Sequence, residues 1–284
     1  ELIKTLQSQS TKLAITSRAF YTEPFATFLE KLSNISGFES VLTMNTGAEA
    51  VETSIKAARR WGYFSKGIPE DNAEIIVANG NFHGRTTTIV SFSSDSSYKD
   101  GFGPFTPGFK TADYCGSCNC ESIENCLSIE SFEKKINKNT CAILVEPIQG
   151  EAGIRVPTEG WLTKLRELCD AKNILLILDE IQSGLGRTGK LFAFQHENIM
   201  PDGLILGKAL GGALLPISAF LSSKEVMDHF KPGSHGSTFG GNPLASKVAS
   251  KAIDLLFEDK LIENSKNMGE YFLSKLRQID SKIV

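Results

Sequence analysis

Five short apolar runs, at residues 41–44, 74–78, 141–146, 174–179 and 204–206, alternate with segments of helical periodicity. This alternation constrains the fold more than any other feature. Runs so short and so rich in Ile, Val and Leu read as buried strands. Strands that take turns with helices build βαβ units around a mainly parallel sheet, an α/β fold. Such a sheet collects ligands outside the carboxyl ends of its strands. Lys208, Asp179, Glu146 and the turn at Gly47 all fall at such ends.

Lys208 lies in DGLILGKALGGAL, residues 202–214, where Gly207 ends the apolar run and Gly211-Gly212 keep the following backbone small. A lysine there is costly to bury unless its ammonium is paired or its proton is lost. A desolvated lysine shifts its pKa readily, and the neutral amine forms a Schiff base with a carbonyl. Taken alone, the stretch better suits a lysine whose stem is buried and whose head stays in water. The most apolar run, ILLILD, stops abruptly at Asp179-Glu180.

Elsewhere, residues 1–32 read as helical segments broken at Glu23-Pro24. Residues 48–64 place Ala50, Val51, Ile55, Ala58 and Trp61 close to one helical face, with Asn45 or Thr46 as N-cap. A glycine turn into a helix presents N–H groups and a positive dipole end that suit phosphate, although an ordinary strand–helix turn has the same sequence. In NFHGRTTT, Phe82 and Arg85 flank His83-Gly84 at a further helix start, and residues 100–108 form a Gly/Pro-rich loop. Residues 121–138 are expected to form a polar helix and 158–172 an amphipathic one. The loop PIQGEAGIRVP adds a second carboxylate, Glu151, after Glu146. GLGRTGKL at 184–191 imitates nucleotide-binding glycine patterns. Its continuation is aromatic and alternating instead of helical, and Leu191 stands where a magnesium-binding hydroxyl is needed, so a nucleotide site is not expected.

The 284 residues suffice for one large α/β domain, or one domain plus part of another. A net charge of -3 gives no electrostatic case for nucleic acid or an anionic membrane, and no apolar run approaches the ~20 residues of a membrane helix. The chain begins at Glu1 without a methionine, so a targeting segment ahead of it, and with it the mitochondrial matrix, stays open beside the cytoplasm. Six cysteines are too few for a disulfide scaffold and suggest a reducing compartment. Cys141 and Cys169 read as core thiols. Cys115, Cys118, Cys120 and Cys126 crowd into CGSCNCESIENC, which reads as a surface loop of inert thiols, of thiols that oxidise or meet a redox partner, or of irregular zinc ligands. No metal site is expected at the strand ends.

MNTGAEAVETSIKAARRWGY, NFHGRT, GFGPFTPGF, VEPIQGEAG, LDEIQSGLGRTG, LGKALGGALLP and KPGSHGSTFGGNPLA, with SRAFY nearer the start, together resemble the class III, or ω-, aminotransferases, which use pyridoxal 5′-phosphate. The resemblance runs over essentially the whole chain. It implies a fold-type I transferase with a large domain at 1–258 and the start of a small C-terminal domain at 259–284. It implies that Lys208 forms the Schiff base with the cofactor and shuttles protons, that Asp179 pairs with the pyridinium nitrogen and that Gln182 reaches the phenolic oxygen. Phe82 would stack on the ring, and Gly47 and Ala48 would hold the phosphate. Ser237 and Thr238 would reach the phosphate of the partner in a homodimer. Arg85 would grip the 2-oxo acid carboxylate, beside the active-site glutamates Glu146 and Glu151.

SRAFY, GFGPFTPGF and KPGSHGST point to a member that moves the δ-amino group of L-ornithine to 2-oxoglutarate. His83 points instead toward members that act on N-acetylornithine, and a 4-aminobutyrate enzyme is a further alternative. The rival of another class is a catalytically idle module acting through its cysteine loop. The intact set of Lys208, Asp179 and Gln182 argues against it.

Overall fold

The computed structural model describes residues 1–17, 19–115 and 122–279. Arg18 of the SRAFY motif, Cys118 and Cys120 lie outside them. Helices α1 (Leu2–Ser10) and α2 (Glu23–Ser36) precede β1 (Ser40–Met44), α3 (Gly47–Phe64), β2 (Glu74–Ala78), α4 (Thr87–Ser91) and β3 (Phe109–Ala112). Then follow α5 (Ser128–Lys135), β4 (Thr140–Val145), α6 (Trp161–Lys172), β5 (Leu175–Asp179), β6 (Gly203–Leu206) and β7 (Ser218–Ser222). The chain closes with α7 (Lys224–Met227), α8 (Pro243–Glu258) and α9 (Leu261–Leu276).

The strands form one sheet in the order β1-β7-β6-β5-β4-β2-β3. Every residue of β4 and β5 is buried, as expected of strands covered on both faces. Ile75, Leu144, Ile177, Ile205 and Phe220 pack on one side against Val51, Ile55 and Ala58 of α3. Ile76, Ile143, Leu176, Leu204 and Leu221 pack on the other with Phe28 of α2, Phe132 of α5, Leu165 of α6 and Ala249 of α8. The period of two along each strand therefore supplies two cores, one per face.

The sheet is mainly parallel, with one exception: β7 runs antiparallel to both β6 and β1. A parallel return would need a crossover of about a dozen residues or more, and the 207–217 connection, occupied by a short 3₁₀ turn, is too compact for one. Glu23-Pro24 starts α2 instead of breaking a helix, because a proline near N1 costs no intrahelical hydrogen bond. The helix expected over 121–138 is shorter, with a 3₁₀ turn at Ile123–Asn125 followed by α5. Tertiary bonds override the local pattern there: Ser128 Oγ donates to Asp113 O at 2.6 Å and accepts Trp161 Nε1–H at 3.0 Å.

Thr46 caps α3 in a reciprocal box, its Oγ1 accepting Glu49 N–H at 3.3 Å while Glu49 Oε2 accepts Thr46 N–H at 2.6 Å. Thr46→Ala is expected to cost about 1 kcal/mol in urea unfolding.

Candidate cofactor and substrate site

A cavity of about 190 Å³ lies at the carboxyl ends of the strands, lined by Gly47, Ala48, Phe82, His83, Gly84, Glu146, Asp179, Ile181, Gln182 and Lys208. Six of the residues chosen from sequence for cofactor contact thus meet in one place. Lys208 follows the extended Gly207 and opens the 3₁₀ turn Lys208–Gly211 with φ of +40°. A non-glycine residue in that region is strained by about 1–3 kcal/mol, and such strain gathers where a side chain must be aimed. The lysine is exposed toward the cavity, so its ammonium escapes the burial cost that the sequence raised.

Asp179, 4% exposed, ends β5. Its Oδ1 accepts Ile181 N–H at 3.0 Å, and its Oδ2 lies 2.7 Å from His83 Nδ1. Burial by itself would lower the His83 pKa, but the hydrogen bond and charge of Asp179, with the charge of Glu146 beyond, outweigh it and the net direction is upward. His83 Nε2 is buried with no partner among the described residues.

Glu146 also lines the cavity, but its oxygens accept backbone N–H from Phe82 at 3.1 Å and Gly150 at 3.4 Å. Burial pushes this carboxyl up to about 7; the His83 charge opposes the shift and the Asp179 charge adds to it. Gly150 carries Gln182 directly above it, since an added Cβ would sit 1.3 Å from Gln182 Oε1. Gln182 Nε2 in turn donates to Glu151 Oε1 at 3.3 Å.

Besides Gly150, two further glycines let the chain close around the cavity. At Gly84, with φ of +127°, a Cβ would stand 2.8 Å from Ala48 Cβ, and one at Gly47 would stand 2.7 Å from Ile181. The N–H groups of Gly47 and Ala48 therefore open α3 directly onto the cavity, where the helix dipole favours an anion. An amine, a buried carboxylate for a ring nitrogen, the Phe82 ring and a helix start for phosphate fit pyridoxal 5′-phosphate in donor chemistry.

Other candidates stand outside the lining. Arg85 is exposed, with its guanidinium 4.6 Å from the Tyr98 ring centre and 5.8 Å from that of Phe82. Ser237 accepts Asn45 Nδ2–H at 2.9 Å, and the exposed Thr238 borders a separate small cavity with Phe20 and Phe25. Cys115 and Cys126 are buried, which corrects the surface-loop reading for these two thiols. Their neighbours Leu162 and Trp161 of α6 belong to the same apolar core and draw them in. No group of three or more metal-ligating side chains is present among the described residues. Gly184, Gly186 and Gly189 lie in consecutive turns, and no helix opens directly after them.

Glu180 and Ile181 belong to no role that the sequence motifs assign. The adjacency of both to Asp179 was the available signal.

A doubly covered α/β sheet whose strand ends bring a strained lysine, a buried aspartate and a helix start to one cavity is the arrangement of the fold-type I, pyridoxal-phosphate-dependent transferases. The chain belongs to the aminotransferase class-III family, whose model matches residues 1–284. It is 53% identical over 283 residues to the ornithine aminotransferase of Brevibacillus brevis, covering 100% of this chain and 68% of that protein. The crystal structure of the ornithine aminotransferase of Toxoplasma gondii superposes with a TM-score of 0.91 at 44% identity, over 98% of this chain and 63% of that one. An acetylornithine aminotransferase from Elizabethkingia anophelis superposes with a TM-score of 0.83 at 49% identity, over 98% and 65%. The chain thus spans about two thirds of the length of the relatives it matches.

The raised Glu146 pKa sets a pH dependence. The folded state holds a proton that the unfolded state releases, so Glu146 makes the cofactor-free protein lose stability as pH rises from about 4.5 to about 7. Urea unfolding of Glu146→Gln across that window is expected to show a shallower decline than wild type.

Proposed function

We propose that this chain supplies the cofactor-binding part of an aminotransferase that moves the δ-amino group of L-ornithine to 2-oxoglutarate. Glutamate 5-semialdehyde and glutamate leave in turn, in a ping-pong cycle. The observation that carries the reading is Lys208, strained at +40°, lining one cavity with the buried Asp179. The bound cofactor would supply a carbonyl and a ring able to draw electrons from the substrate carbon.

The chain's own groups then have defined tasks. Lys208 would supply the amine that holds the cofactor through its carbonyl, and would carry a proton to and from the substrate carbon. Asp179 would hold a proton on the ring nitrogen, and its pairing with His83 fixes the carboxylate that would do so. Phe82 would flank the ring, and Gln182 would offer its amide to the ring oxygen. Gly47 and Ala48 would donate N–H groups to the phosphate. Arg85 offers a planar fork to a substrate carboxylate, with Glu151 on the Gln182 side of the site. Glu146 serves mainly by holding the backbone at Phe82 and Gly150.

Ser237 and Thr238 are assigned to the phosphate of a second copy in a homodimer. Phe20, Tyr21 and Phe239, exposed by 68%, 103% and 57%, give that face the apolar area an interface needs. Residues 1–258 form the large domain of this reading. Residues 259–284 begin a small domain, since α9 buries none of its residues here. His83 supports N-acetylornithine as a second substrate reading.

The test follows the visible absorbance of the complete protein, loaded with pyridoxal 5′-phosphate, when L-ornithine is added without an oxo acid. Bleaching of the cofactor band with release of a trappable semialdehyde is expected, and Lys208→Ala should lose turnover by about 10⁴-fold or more. A band that ignores ornithine but responds to N-acetylornithine would replace the substrate.

A further inference from the structure

Asp179, Glu180, Ile181 and Gln182 are consecutive, and all but Glu180 line the cavity. The Glu180 side chain is 1% exposed and is one of three buried carboxylates among the described residues, with Glu146 and Asp179. Its main chain continues the sheet, with its N–H donating to Ile205 O at 3.0 Å, and begins the next turn by accepting Gly184 N–H at 3.0 Å.

The carboxylate reaches across to residues 13 and 14 positions later. Oε2 accepts Ala193 N–H at 2.6 Å and Ser183 Oγ–H at 3.3 Å, while Oε1 accepts Phe194 N–H at 2.9 Å. Ala193 and Phe194 open the 3₁₀ turn Ala193–His196, whose first amides have no partner within the turn. Glu180 therefore caps that turn from a distance. Phe192 and Phe194, stacked at 5.5 Å and buried, fix the far side of this contact in the core. Gly184 is confined by the same arrangement, since a Cβ there would meet Glu180 O at 2.8 Å.

We infer that Glu180 is a positioning residue whose carboxylate clamps the 183–194 segment to the end of β5 and thereby sets the places of Asp179 and Gln182 in the cavity. The inference rests on the cofactor reading above and names a group that touches neither cofactor nor substrate. Three convergent donors are what keep a carboxylate in so dry a position, where burial pushes its pKa up to about 7 against the pull of those hydrogen bonds. Removing one acceptor leaves a buried N–H unmatched, and the chain on either side of Glu180 is free to respond.

The test measures pyridoxal 5′-phosphate affinity and the visible circular dichroism of the bound cofactor in the complete protein. Wild type, Glu180→Gln, Ala193→Pro and the double variant are compared, each with thermal unfolding of the cofactor-free form. The amide of Glu180→Gln turns an NH₂ toward one of the two backbone N–H groups. Ala193→Pro removes the other side of the clamp at a first-turn position that tolerates proline, after Phe192 in an extended conformation.

Each single change is expected to weaken affinity about tenfold and shift the dichroism, and the double variant to be no weaker than the worse single one. Should Glu180→Gln fail to fold, Ala193→Pro keeps every cavity side chain and carries the same expectation. Affinity within about twofold of wild type with unchanged dichroism, whatever the melting temperature, overturns the positioning role. Additive losses overturn the clamp. A wild-type protein that binds no pyridoxal 5′-phosphate overturns the cofactor reading itself.

Discussion

The buried contact between Asp179 and His83 is the interaction on which the rest of the site depends. A carboxylate taken out of water needs donors, and Asp179 finds them in the His83 ring and the Ile181 N–H. Those two donors come from different elements, the loop after β2 and the turn after β5. Holding the aspartate therefore also ties together the segments that carry Phe82 and Gln182, which both line the cavity.

Around that pair the chain repeats one device: a buried carboxylate at a strand end grips backbone N–H groups of a neighbouring loop. Glu146 after β4 holds Phe82 and Gly150, and Glu180 after β5 holds Ala193 and Phe194. Side-chain acceptors that take backbone N–H groups in this way fix a loop's path. Close approach at Gly47, Gly84 and Gly150 completes the enclosure, because a methyl group at any of them would enter a neighbouring residue.

Much of this was legible from residue order. Lys208, Asp179, Gln182, Phe82, Gly47 and Ala48 were all identified from strand ends and motif resemblance, and they share one cavity. The Thr46 cap and the α3 span were legible because capping and helical periodicity are local properties. The shortening of the 121–138 helix was hidden, since Ser128 is held by Asp113 and Trp161, partners distant in sequence. The antiparallel β7 was hidden too, because strand direction follows from connection geometry and the apolar pattern of a strand is the same in both directions.

Sequence by itself determined the alternating elements, the doubly covered sheet and the chemical groups placed at its strand ends, because period, length and turn residues act over a few neighbouring positions. Tertiary structure decided how those groups are used. Glu146 lines the cavity and also holds the backbone of two loops, His83 is a partner of Asp179, and Glu180 is a cap for a turn thirteen residues away. The physical reason is that a buried charge takes whichever donors the fold brings within hydrogen-bond reach, and those donors are set by packing across the sheet instead of by spacing along the chain.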